Sequence, residues 1–171
     1  MSDPRYPIGK FEWPKSPLTG DERASCLEHL AALPARVRAW VGAAPAGALD
    51  KPYREGGWTA RQVIHHLADS HLNSYTRFRL ALTEARPTIK PYDESAWAEL
   101  PDAKAAPVEL STALLDGLHA RLDLLLQGLT AEQWAQEFVH PEHGRALRLD
   151  ATLALYAWHS RHHLAHLASI A

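Results

Sequence analysis

The stretch Trp158-His159-Ser160-Arg161-His162-His163-Leu164-Ala165-His166 places histidine at i and i+4 twice, at 159/163 and at 162/166. On an α-helix such pairs stand one turn apart on one face, because about 3.6 residues complete a turn. Two neutral imidazoles held that way are half of a transition-metal site. A third ligand has to come from elsewhere, and the chain offers His65, His66 and His71 inside another helical stretch. Four of the eleven histidines lie in the last thirteen residues and three more between positions 65 and 71. Composition alone does not produce that clustering.

Working outward, Thr59 suits the cap of a long helix running to about Leu82, which carries the first histidine cluster. Thr19-Gly20-Asp21-Glu22 is a capping-box pattern that opens an earlier helix through Leu27 and Leu30. Pro34 is expected to kink that helix, or to restart it before Val37, Trp40 and Val41. Residues 84–106 hold several Pro and Asp without a sustained period, and read as a long crossover loop with a short turn near Ser95–Leu100. Pro107 suits the first position of another long helix, to about Gln127, with leucines at 114, 115, 118, 122, 125 and 126. Thr130-Ala131-Glu132-Gln133 starts a short helix, and Glu137–Leu149 predicts a hairpin turning near His143-Gly144. Asp150 is expected to cap the terminal helix. Residues 1–18, rich in Pro and aromatics, read as an irregular strap across the body. Four long helical patterns with one long connection predict an all-α four-helix bundle, with a small hairpin before the last helix. In such bundles metal sites are built from side chains on facing helices.

Composition bounds the rest. The chain has 171 residues, 46% of them hydrophobic, and a formal charge of −2. That suits a single domain spanning 1–171 with a real core, and indicates neither disorder nor a basic nucleic-acid surface. The single cysteine, Cys26, excludes an intrachain disulfide and the Cys-rich zinc designs. No apolar leader and no run of about eighteen apolar residues is present, so a cytoplasmic protein without membrane contact is expected.

Helical wheels ask which histidines face inward. On the last helix the apolar face holds Leu153, Ala157, Leu164 and Leu167. His159 and His163 lie at its edge beside Tyr156 and Ile170, while His162 and His166 are rotated outward. On the second helix the apolar face holds Val63, Ile64, Leu67, Ser74, Phe78 and Leu82, with His71 inside it. His66 is at the border, heading a polar stripe of Thr59, Gln62, Ser70, Asn73 and Arg77, and His65 points nearly opposite to the core. Periodicity therefore proposes His71 as readily as His66, and the stripe reads equally as a pocket wall or a solvated face. His65, His71 and His162 are expected in supporting or structural roles. Trp58, Trp97, Trp134 and Trp158 are expected in the core or lining a pocket, and Glu142 and His143 at the surface. Ser160 sits in a helix interior without a nucleophile elbow, so no serine triad is indicated.

Several segments together carry a family resemblance. They are Gly56-Gly57-Trp58-Thr59-Ala60-Arg61-Gln62-Val63-Ile64-His65-His66-Leu67-Ala68-Asp69-Ser70-His71, then Asn73-Ser74-Tyr75 and Arg77-Phe78, Pro91-Tyr92-Asp93, His140-Pro141-Glu142, Tyr156-Ala157-Trp158-His159 with Arg161-His162-His163, and the opening Arg5-Tyr6-Pro7-Ile8-Gly9. The chain resembles the YfiT branch of the DinB-like superfamily over nearly its whole length. The resemblance implies a four-helix bundle holding one divalent metal on three histidines, one from the second helix and two from the fourth. Carried over, these are His66, His159 and His163, a choice that overrides the periodicity case for His71. His166 is left as a pocket residue. A homodimer is also implied.

Three neutral imidazoles leave a position open for water or substrate, whereas structural zinc sites are closed by four protein ligands. A bound water at such a site has its pKa lowered to roughly 7, and a substrate thiol can be deprotonated there instead. The resemblance accordingly implies a metal-dependent hydrolase, or a transferase joining a low-molecular-weight thiol such as bacillithiol to an electrophile. The reading of another class is a non-catalytic, stress-related metal-binding bundle. Zinc is the first expectation for the metal, with nickel or manganese next, because geometry and availability decide occupancy of a His-only site. A ligand imidazole normally donates its second N–H to a carboxylate or carbonyl, and Asp69 and Asp150 are candidate acceptors. Asp69, Asn73, Arg77 and Arg161 are the candidate pocket residues.

Overall fold

A computed structural model describes residues 3–170. Helix α1, Gly20–Ala43, is opened by a capping box in which the Thr19 hydroxyl accepts the Glu22 N–H while the Glu22 carboxylate accepts the Thr19 N–H at 2.7 Å. It continues through Pro34 without a restart. Proline has no N–H to give the carbonyl four residues back, so the Leu30 carbonyl lacks its usual i+4 donor within the helix. Helix α2, Ala60–Thr83, starts from a second capping box, Thr59 with Gln62. The crossover is more ordered than a loop with one turn: α3, Glu94–Ala98, is capped by the Asp93 carboxylate, and α4, Pro101–Ala105, begins on a proline. Helix α5 spans Val108–Gln127, with Pro107 extended just outside it at ψ 129° and not in the first turn. Helix α6, Ala131–Trp134, leads to strands β1, Glu137–His140, and β2, Arg145–Arg148, whose hairpin turns at Gly144 in the left-handed region (φ 61°). Helix α7 closes the chain at Leu149–Ala168.

The four long helices form the bundle. Helix α1 packs on α7 and α5, and α2 packs on the same two, so α1 and α2 sit at opposite corners although consecutive in sequence. Leu30, Phe78, Leu122, Leu126, Phe138, Leu149 and Leu153 belong to one apolar cluster. Leu33, Val37, Val63, Ile64, Leu67, Leu115 and Leu164 belong to another. Along α2, α5 and α7 the chain passes between the clusters at His71, His119 and His159. A layer of imidazoles thus interrupts the core. No helix among the described residues is long and apolar enough to cross a membrane.

Asp150 does not cap α7. Arg148 is the cap residue, and Asp150 lies buried in the first turn with 1% exposure. Its carboxylate accepts from the Leu18 N–H (3.2 Å), from Arg148 Nε and Nη2 (3.0 Å each) and from the Ala151 N–H (2.8 Å). One carboxylate therefore fastens the N-terminal strap to the bundle. Asp150→Asn is expected to cost about 1.5–3 kcal/mol, the range for hydrogen bonds to a charged group, and to lower Tm by roughly 2–4 °C per kcal/mol. An unchanged melting curve would mean that the strap is held by something else.

Candidate metal centre

Helices α2 and α7 face each other, and they bring His66, His159 and His163 together so that one ring nitrogen of each lies within 4.8 Å of the others. His159 and His163 are one turn apart on α7, with ring centroids 4.5 Å apart, and His66 reaches them from α2. The closest approach is His66 Nε2 to His159 Nε2, 3.1 Å. Two nitrogens bound to one cation at about 2.0–2.1 Å stand roughly 2.8–3.4 Å apart across the octahedral to tetrahedral angles, so this spacing fits a shared ion. Burial pulls His66 down to about 4, with the neighbouring His162 adding to the effect, and holds His159 and His163 well below the usual imidazole range. All three present neutral lone pairs at neutral pH, as metal ligation requires.

The remaining histidines divide by what covers them. His162 and His166 stand on the outward side of α7, as periodicity predicts, yet both are buried. Trp158 stacks on His162 (4.4 Å, 18°), Tyr6 of the strap lies 6.2 Å from it, and Tyr53 stacks on His166 at 4.0 Å. Segments outside the bundle thus make that face an interior. His162, His163 and His166 form a second group with nitrogens within 4.8 Å, in which His163 Nδ1 lies 3.3 Å from His166 Nδ1. His65, expected to point away from the core, is also buried, with Nδ1 2.7 Å from Ser111 Oγ and Nε2 donating to the Ala106 carbonyl at 3.2 Å. The α4–α5 junction covers it. His71 is fully buried, and its Nδ1 lies 3.0 Å from His119 Nε2.

Two cavities meet at His159. The outer one, about 580 Å³, is lined by His66, His162, His163 and His166 together with Arg5, Tyr6, Tyr53, Arg54, Trp58 and Glu94. The inner one, about 250 Å³, lies between α2, α7 and the hairpin and is lined by Arg77, Tyr92, Glu94, His140, Glu142 and Tyr156 among others. Arg77 donates to the Tyr156 hydroxyl at 3.4 Å. The Tyr156 phenol is raised by burial, and burial followed by the Arg77 charge lowers His140.

Of the four candidate pocket residues only Arg77 lines a cavity. Asn73 donates to the Asp69 carbonyl one turn back on its own helix, and Arg161 is exposed, donating to the Ala157 carbonyl. Asp69 is half-buried, its carboxyl raised to about 6 by burial and then by Asp102, and it lines neither cavity. Asp150 is occupied at the start of α7, and neither carboxylate hydrogen-bonds to the ligand imidazoles. Trp134 is core, Trp58 packs on His66 at 4.8 Å and Trp158 on His162, but Trp97 is 38% exposed against Tyr92. Glu142 and His143 are exposed as expected and still edge the inner cavity. Helical periodicity gave no signal for Arg5, Tyr53, Arg54, Tyr92, Glu94 or His140, because all six lie outside the long helices. For Arg5, Tyr92 and His140 the motif segments were the available signal.

A family model for the DinB superfamily matches residues 29–167. The chain is 46% identical over 165 residues to the Bacillus subtilis protein named "Putative metal-dependent hydrolase YfiT", covering 96% of this chain and 92% of that one. A Bacillus cereus (strain ZK / E33L) protein, also named as a "Putative metal-dependent hydrolase", is 49% identical over 170 residues, covering 99% of this chain and 96% of that one. The solved structure of Bacillus subtilis YfiT, described as a probable metal-dependent hydrolase with an unusual four-helix bundle topology, superposes with a TM-score of 0.93 over 98% of this chain and 95% of that one. Matching in sequence along nearly its full length and in the arrangement of its helices, this chain belongs to the DinB superfamily.

Proposed function

We propose that the protein is a metal-dependent hydrolase of small molecules, with His66, His159 and His163 as the ligands of one divalent cation, zinc first. The observation that carries this is the convergence of three neutral imidazoles, His66 and His163 buried and His159 half-buried, at the junction of two cavities. A cation there supplies Lewis acidity and an activated water at neutral pH. The chain's own groups do the rest. Arg77 and the Tyr156 hydroxyl offer donors to a carbonyl or anionic oxygen placed in the inner cavity. Glu94 is the carboxylate that lines both cavities, and it is the group assigned here to take up and return a proton. The names of the Bacillus relatives support the same reading.

A second reading, thiol transfer, rests on Arg5 and Arg54 at the outer cavity, which suit the carboxylates of a low-molecular-weight thiol. The test runs ester and amide substrates beside monochlorobimane with several thiols, on metal-loaded protein. Metal-dependent hydrolysis that falls about 10²-fold or more in Glu94→Gln, the usual size of an acid–base contribution, is the expected result. Conjugation that needs a thiol, without hydrolysis, would replace the first reading by the second. Neither reaction, with loss of fold on chelation, would leave a structural metal site.

A further inference from the structure

Pro34 starts a chain of contacts that ends beside the proposed metal. Because proline lacks an N–H, the Leu30 carbonyl has no helical donor at i+4. His119 Nδ1 supplies one instead, at 3.0 Å across the α1–α5 interface. A carbonyl only accepts, so the proton of His119 is on Nδ1. Burial pulls His119 down to about 4, so the ring is neutral and Nε2 carries a lone pair. That nitrogen lies 3.0 Å from His71 Nδ1, which must therefore be the N–H donor. With Nδ1–H as the donor, the neutral His71 ring carries its lone pair on Nε2. Among the described residues this buried nitrogen has no partner.

The neighbouring ring offers what it lacks. His159 presents Nε2 to His66, so its proton belongs on Nδ1 when it ligates, and Nδ1 is likewise buried without a partner. The His71 and His159 rings are neighbours, 5.6 Å apart and tilted by 45°, and since neither nitrogen has a partner among the described residues, the contact requires one ring to turn toward the other. We propose that His71 is a positioning residue which accepts the Nδ1–H of His159, and that its tautomer is dictated from the Leu30 carbonyl, freed by Pro34, through His119. An imidazole lone pair takes the place usually held by a carboxylate. This inference rests on the ligand set proposed above for its consequence, but not for its tautomers.

Two measurements test it. Long-range ¹H–¹⁵N correlation on metal-free, histidine-labelled protein at pH 7 reads the tautomers directly, and Nδ1–H forms are expected for both His119 and His71. Cobalt(II) affinity by chelator competition, with the visible spectrum, reads the effect on the site. His71→Leu is expected to weaken binding by about 10–100-fold, the usual scale for such partners, and His71→Gln, which keeps a carbonyl acceptor, to recover most of it. His119→Leu, which touches no ligand, is expected to weaken binding as well and to change the tautomer of His71. A proton on His71 Nε2 in the wild type overturns the proposal, as does unchanged cobalt affinity and spectrum in both His71→Leu and His119→Leu. If either variant does not fold, the wild-type tautomers and His71→Gln decide. Should His66→Ala also bind cobalt like the wild type, the ligand set itself fails, a result distinct from wrong tautomers.

Discussion

Metal-free protein is expected to lose most of its stability as pH falls from about 6.5 to about 4. His66 and His119 are 5% and 4% exposed, and burial lowers each from 6.5 to about 4. In that window the unfolded chain binds protons that the folded chain refuses, so stability falls with pH. Their contribution is complete above the unfolded value near 6.5, is lost progressively below it, and changes no further under the folded value near 4. Each corresponds to roughly 3 kcal/mol, and the two together reach the lower part of the ~5–15 kcal/mol that holds a typical domain. His71, His159 and His163 are lowered in the same direction by the same cause. Urea midpoints measured between pH 8 and 4 in the presence of a chelator give the answer. A midpoint that stays flat down to pH 4 would show that the imidazole layer is wet and titrates normally.

His66→Ala and His159→Ala are expected to abolish stoichiometric metal binding, from one ion per chain to almost none after dialysis. A structural zinc site contributes about 10–16 kcal/mol over four ligands, so one imidazole accounts for roughly 3 kcal/mol. That is on the order of 10²-fold or more in affinity. The control is His162→Ala: His162 belongs to the outer histidine group and not to the proposed ligand set, so one ion per chain should remain. Metal analysis by mass spectrometry after dialysis distinguishes the cases. Loss of the ion in His162→Ala with retention in His66→Ala would move the site to the outer group.

Local signals were readable wherever they are local in cause. The capping box at Thr19 forms as its spacing predicts, and the helix starts expected at Thr59 and Thr130 are capping boxes too, because a hydroxyl and a carboxylate or amide three residues on satisfy the first free N–H groups within one turn. The hairpin and its Gly144 turn follow from the same kind of rule. Misreadings came where a distant segment intervened. Asp150 has the type and place of a cap but serves a strap residue 132 positions away. Pro34 has the type of a helix breaker, yet the carbonyl it frees is taken by His119 from another helix.

The sequence by itself determined four long helices, the caps of the first two and the i, i+4 pairing of His159 with His163, since these depend on neighbours within a turn or two. Only the tertiary structure decided which imidazoles are interior. Rotation about the α7 axis puts His162 and His166 outside the bundle, and the rings of Tyr6, Tyr53 and Trp158 close over them. Likewise His66 meets His159, and His71 meets His119, because α2 is packed between α5 and α7. Periodicity ranks the faces of one helix against an average core, but burial is set by whatever other segment lands on each face.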